Sequence, residues 1–161
     1  MTLLYLVVLV VASPTSSAAP SACTNLHAIS NNGDRKIAIV IDTSGSMADS
    51  DPYDLRLTAG KQIVNWLISD NEASSSQKAD QLAVINFDDS PHLDFSLGDP
   101  GKASGAFDNM FPDGGTFIAG GVNMAIDQLT TQGSGDTAKR SGIFVFTDGE
   151  VFTTLAVHCL Y

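Results

Sequence analysis

Five oxygen-bearing side chains stand at three points along the chain. Asp42, Ser44 and Ser46 occupy alternate positions in DTSGS, Thr116 lies in GGTFIAGG, and Asp148 lies in FTDGE. Carboxylates, hydroxyls and water are hard oxygen ligands, the set that suits Mg²⁺, Mn²⁺ or Ca²⁺ and not a soft metal. The glycines around them let loops bring oxygens within about 2.0–2.6 Å of one ion. Each residue alone has an ordinary reading. Ser44 and Ser46 suit a turn, Thr116 suits a helix N-cap, and Asp148 suits the turn after a strand. Asp49, Asp51 and Asp113 near these loops are expected to be solvated or capping, and Asp88 and Asp89 to be turn residues. His27, His92 and His158 have no zinc-like spacing.

The elements that must position these groups are legible around them. Lys36 to Asp42 (KIAIVID) is apolar on both faces, as in a strand of a parallel sheet covered on both sides. A helix is expected after the DTSGS loop, with Asp51 as N-cap and Pro52 first in the helix, running to about Ile68. Its buried face would carry Leu57, Gly60, Ile63, Val64 and Leu67. Leu82 to Phe87 reads as a second buried strand. His92 to Leu97 follows a short turn and alternates, which predicts an antiparallel edge strand with Leu93, Phe95 and Leu97 on one face. One or two helical turns anchored by Phe107 fit Gly101 to Met110. Ile118, Val122, Ala125, Ile126 and Leu129 then define an amphipathic helix, and Gly142 to Phe146 a third buried strand ending at Asp148. Strands alternating with helices predict an α/β fold, with a Rossmann-like, doubly wound, mostly parallel sheet and one antiparallel edge strand. Asp42 and Asp148 both follow strand ends, the edge at which open α/β sheets bind ligands.

Composition narrows the partners. The chain has 161 residues, a single-domain length, with 18 acidic and 8 basic residues and a net charge of −10. That balance excludes nucleic acid and docking through a basic patch on an anionic membrane. Sixteen of the acidic residues are Asp, a residue of caps and turns, so the charge belongs mostly on loops. Leu3 to Ala12 (LLYLVVLVVA) is apolar, uncharged and too short to span a bilayer as a helix. With the small residues after it, it reads as a secretory signal peptide over residues 1–19, cut after Ala18 or Ala19. An uncleaved anchor or a buried strand are the other readings of this segment. A polar lead (20–34) follows, and no membrane span is expected after cleavage. Secretion makes Cys23 and Cys159 candidates for a disulfide joining the two ends of the mature chain.

Enzyme signatures fail on context. Gly133, Gly135 and Ala138 match the letters of a dinucleotide fingerprint but precede a strand instead of following one. Neither Gly60-Lys61 nor Gly101-Lys102 is followed by Ser or Thr, so there is no P-loop. No nucleophile elbow or H-E-x-x-H is present. A phosphotransferase with Asp42 as nucleophile would want Asp at position 44, where this chain has Ser. The expectation is therefore not an enzyme, with a metal-dependent hydrolase as the weakest alternative.

Taken together, DTSGS, Thr116 in GGTFIAGG and Asp148 in FTDGE resemble the von Willebrand factor type A domain over residues 35–150. That family carries a metal-ion-dependent adhesion site (MIDAS) of the pattern D-x-S-x-S, then Thr, then Asp, and all five positions match in order. The resemblance implies that Ser44, Ser46 and Thr116 bind a divalent cation directly, with Asp42 and Asp148 acting largely through water. Mg²⁺ is the first candidate, with Mn²⁺ and Ca²⁺ as alternatives. Neutral hydroxyls leave such an ion under-neutralised, so an open position would take an Asp or Glu carboxylate from a partner protein. The implied function is a secreted, extracellular, metal-dependent protein-binding or adhesion module.

The family pattern continues past this point with further helices and strands, whereas only 13 residues follow Asp148. Residues 151–161 (VFTTLAVHCLY) read as an atypical tail on an incomplete domain. A fragment, a natural short variant and a gene model reading past an exon end each account for it. The competing functional reading is a truncated structural remnant without binding activity.

Overall fold

The computed structural model describes residues 5–11, 34–75, 77–131 and 141–149, with backbone alone for 5–11 and 131. Five strands form one sheet in the order β1-β5-β2-β3-β4: β1 Tyr5–Val11, β2 Lys36–Asp42, β3 Gln81–Phe87, β4 Pro91–Gly98 and β5 Ser141–Thr147. The helices are α1 Met47–Ser50, α2 Leu55–Trp66 and α3 Ile118–Thr131. The predicted parallel core is present, with β2 pairing in parallel with both β3 and β5, and β4 adding antiparallel to β3.

Central β2 shows why both its faces are apolar. Ile37, Ile39 and Ile41 face a cluster containing Leu82, Val84 and Phe146 from the sheet, Leu57, Ile63, Val64 and Leu67 from the α2 side, and Phe107 and Met110. Ala38 and Val40 face the opposite cluster, with Ala83, Ile85, Phe87, Ile143, Val145 and the α3 residues Val122, Ala125, Ile126 and Leu129. Residues one apart on a strand point to opposite faces, so a strand covered twice has no polar face to show. Helix α2 lies close because Gly60 leaves room: a Cβ there would sit 2.7 Å from the Phe107 ring. The turns anchored by Phe107 take the form of a 3₁₀ turn, Pro100–Lys102, and the irregular turns after it.

Three local expectations change. Helix α2 starts at Leu55, not Pro52, because Asp51 caps it from outside: its carboxylate accepts the backbone N–H of Leu55 (2.8 Å) and of Arg56 (3.0 Å). Pro52 and Tyr53 form the intervening turn, closed by Asp54 in the left-handed region at φ 52°. The helix ends at Trp66, since Leu67 is extended and the Ile68 N–H donates to Asp80 instead. On β4, register shifts between Leu82 and Ile85 break the alternation, so Phe95 joins the α2-side cluster and Leu97 the α3-side cluster. Bulges rotate the strand in this way.

One strand extends the predicted sheet. Tyr5–Val11, within the apolar segment read as a leader, pairs antiparallel with β5 over seven residues, from Tyr5 opposite Thr147 to Val11 opposite Ser141. Residues 12–33, most of the polar lead, the tail 151–161 and both Cys23 and Cys159 lie outside the described residues. Among the described residues, no helix is long and apolar enough to cross a membrane.

Candidate metal centre

The chain leaves β2 toward β3 and β4 on one side, then returns through α3 to β5 on the other. The carboxyl ends of β2 and β5 are therefore the point where connections part to opposite faces of the sheet, leaving a crevice there. Asp42 closes β2 and is fully buried. Its Oδ1 accepts the backbone N–H of Ser44 at 2.8 Å, which folds the DTSGS loop back over the strand end. Its Oδ2 accepts the hydroxyl of Thr147, the last residue of β5, at 2.5 Å.

From this anchor the predicted residues run in sequence across the crevice. Ser44 Oγ lies 3.1 Å from Ser46 Oγ, and the Ser46 hydroxyl donates to Asp148 Oδ1 at 3.1 Å. The other Asp148 oxygen accepts a hydroxyl from Ser50 at the end of α1. Asp42, Ser44, Ser46 and Asp148 thus form one continuous set of contacts. Thr116 reaches the same rim by packing: its Cγ2 lies 2.9 Å from the position a Cβ on Gly149 would take, so glycine after Asp148 lets the two loops meet. The loop carrying Thr116 is tied to the DTSGS loop by Gly45 N–H donating to Gly114 C=O (3.1 Å) and Asp113 N–H donating to Thr43 C=O (2.8 Å).

Four contributors were not legible as such. Thr147 and Ser50 hold the two carboxylates. Asp89, expected to be a turn residue, accepts the Gly115 N–H at 2.9 Å and so braces the Thr116 loop from the β3–β4 turn. A Cβ on Gly114, whose φ is 65°, would sit 2.9 Å from Asp89 Oδ2, so this close approach requires glycine. Arg56 is fully buried beneath the site. Its Nε donates to Asp42 C=O (2.9 Å), and its Nη1 donates to Asp51 (3.0 Å) and Asp54 (2.9 Å), while Nη2 has no hydrogen-bond partner. One signal for it was available: Arg56, Gly60, Ile63 and Leu67 share a helical face, where a charged residue needs a buried partner.

Among the described residues, no three His, Cys, Asp or Glu side chains cluster in a metal-holding arrangement. A cation at this edge would have to rest on hydroxyls beside only two carboxylates. The donor set fits a hard divalent ion, since Asp42, Ser44, Ser46 and Asp148, joined by hydrogen bonds, all carry side-chain oxygen, while Thr116 meets the rim through its methyl group.

The family model for the von Willebrand factor type A domain matches residues 37–150, from β2 through the residue after Gly149. The chain belongs to that family. Such domains are typically protein-binding and adhesion modules. The von Willebrand factor domain of the type V pilus tip protein Mfa5 from Porphyromonas gingivalis superposes with a TM-score of 0.53 at 22% identity. That match covers 67% of this chain and 35% of the pilus-tip chain, so this chain spans about a third of it, and the likeness establishes the fold. Proximal thread matrix protein 1 from the mussel byssus, in a structure with a zinc-occupied MIDAS motif, is 26% identical. It matches over 61% of this chain and 26% of its own, with a TM-score of 0.47. No curated protein sequence matches the chain.

Proposed function

We propose that this von Willebrand factor type A chain is a secreted protein-binding module whose site works through a divalent cation, Mg²⁺ first and Mn²⁺ or Ca²⁺ as alternatives. Ser44, Ser46 and Thr116 would hold the ion, with Asp42 and Asp148 fixing those hydroxyls and the intervening waters. The observation that carries this reading is the unbroken set of contacts from Asp42 through Ser44 and Ser46 to Asp148. When bound, the ion supplies a positive centre short of anionic ligands, which an Asp or Glu carboxylate of a partner protein completes.

The chain's own groups do the rest. Asp42 is held by Thr147 and by the Ser44 N–H, so its orientation is set before any ligand arrives. Asp148 is held by Ser46 and Ser50. Preorganisation of this kind lowers the ordering cost of binding. Binding and not turnover is the expected output, in keeping with the adhesion role typical of von Willebrand factor type A domains. Secretion rests on the leader-like residues 1–19, and amino-terminal sequencing of exported protein tests it: a start at Ala19 or Pro20 supports cleavage.

A ligand that binds only the folded state raises its apparent stability. Mg²⁺, Mn²⁺ or Ca²⁺ is expected to raise the melting temperature of the purified chain, and less so in Asp42→Ala and Ser46→Ala. Ser46 is exposed, so its variant folds even if loss of buried Asp42 does not permit folding. No shift with any of the three ions, or an equal shift in Ser46→Ala, supports the competing reading of a structural remnant without binding activity.

A further inference from the structure

Among the described residues, Thr116 differs from the other four predicted site residues. It meets the rim by packing, whereas a run of hydrogen bonds joins Asp42, Ser44, Ser46 and Asp148. Its place is therefore set by what grips the backbone on either side of it. Two of those grips come from one turn, Asp88 to Ser90, between β3 and β4. Asp89 Oδ1 accepts the N–H of Gly115, one residue before Thr116, at 2.9 Å. The Asp88 C=O accepts the N–H of Phe117, one residue after it, at 2.7 Å. Thr116 thus hangs between two bonds to consecutive residues of the turn.

The turn is itself held in shape. Asp88 Oδ1 accepts the Ser90 N–H at 3.0 Å and lies 3.3 Å from His92 Nε2, while the Asp88 N–H donates to the Ser90 C=O at 3.2 Å. A Cβ on Gly115 would sit 2.6 Å from Asp89 Oδ1, so glycine lets the carboxylate close on the loop. Pro91, the first residue of β4, comes within 3.1 Å of a Cβ placed on Gly120, so the same hairpin also seats the start of α3. The Asp88 grip is backbone alone and survives a change of side chain; the Asp89 grip does not. From this arrangement, and resting on the cation reading above, we infer that Asp89 is a positioning residue for the ion. It acts through Gly115 to hold Thr116 beside Ser44 and Ser46, so that three hydroxyls meet the ion and not two. Its hydrogen bond and not its charge carries this role, because Asp89 is exposed and its field is screened by water and salt.

Calorimetric titration of the full chain with Mg²⁺, then with Mn²⁺ and Ca²⁺, tests this. Asp89→Ala should weaken binding of the ion about tenfold, the loss usual for a group that supports a metal ligand. Asp89→Asn, whose side-chain oxygen still accepts the Gly115 N–H, should bind nearly as well as the parent. In a Thr116→Ala background, Asp89→Ala should cause no further loss, since residues that act through one another are not additive. In the metal-free chain, the Gly115 amide should exchange hydrogen faster in Asp89→Ala but not in Asp89→Asn. Asp89 and Thr116 are both exposed, so these variants fold. Unchanged affinity in Asp89→Ala, an equal loss in Asp89→Asn, or additive losses in the double variant overturns the inference and leaves the cation reading standing. A parent chain that takes up none of the three ions fails the cation reading, and this inference with it.

Discussion

Thr147 donates its hydroxyl to Asp42 Oδ2 at 2.5 Å, joining two buried side chains 105 positions apart. The bond links the ends of neighbouring parallel strands, so it fixes the sheet edge and the orientation of a carboxylate at the site together. Thr147 Oγ1 also accepts the Gly149 N–H at 2.9 Å, which sets the path of the loop after Asp148.

Replacing Thr147 with Val keeps the shape and removes both roles. A buried carboxylate oxygen that loses its donor costs about 1–3 kcal/mol. Urea denaturation should show a loss of that size in Thr147→Val, along with a smaller Mg²⁺-induced rise in melting temperature. Thr147→Ser should retain most of both, because the hydroxyl survives.

Arg56 offers a second point of attack beneath the site. Arg56→Met leaves buried Asp51 without its ion-pair partner, a change that costs about 3 kcal/mol. Arg56→Lys keeps the charge but not the planar fork that reaches Asp51, Asp54 and Asp42 C=O at once, so it should also destabilise, by less. Adding Asp51→Asn to Arg56→Met should recover part of the loss. A double-mutant cycle by urea denaturation reads the coupling.

Stability should fall on the acid side through Asp80. Burial pushes its carboxyl up, but the hydrogen bonds and charge of Arg35, with the Ile68 N–H, outweigh that and hold it below the ordinary value. The Arg35 fork reaches both oxygens, at 2.9 and 2.6 Å. A group lowered on folding contributes stability above its unfolded value, about 3.9 for Asp, and loses it as pH falls through the folded value. Denaturation midpoints should therefore decline below about pH 4. Asp80→Asn should flatten that decline and lower stability at pH 7 by about 3 kcal/mol. Asp94 works in the opposite sense. Burial raises its carboxyl despite a hydrogen bond from Asn86, so its contribution is present below the unfolded value and is lost as pH rises through the folded one.

Removing the leader-like segment should alter the sheet edge. Tyr5–Val11 pairs with all seven residues of β5, so a chain starting at Pro20 leaves the outer edge of β5 unpaired. Such an edge is a template for pairing with another chain. Hydrogen exchange should show faster exchange at those β5 amides whose partners lie on β1, and sedimentation should show more self-association than for the full chain. Equal protection of β5 in both would mean that another segment replaces β1.

Much of this fold could be read from local pattern. The boundaries of β2 and the buried faces of β2 and α3 emerge from runs and periods, because a doubly covered strand and an amphipathic helix impose them residue by residue. The start of α2 could not be read in this way. Asp51 reads as a cap, but its distance from the first turn depends on the Pro52–Asp54 turn and on the pull of Arg56. Nor could the faces of Phe95 and Leu97 be read, since bulges against β3 decide them.

For the site, sequence by itself determined the groups: five oxygen-bearing side chains at three points of the chain, each placed at or beside a strand or helix end. These are properties of residue type and spacing, which a linear chain displays in full. Tertiary structure alone decided which groups hold those donors. Thr147 meets Asp42 because β5 lies beside β2, Ser50 meets Asp148 across 98 positions, and Asp89 reaches the Thr116 loop from a different hairpin. Contacts between residues so far apart follow from strand order and register, and neither is written in any local segment.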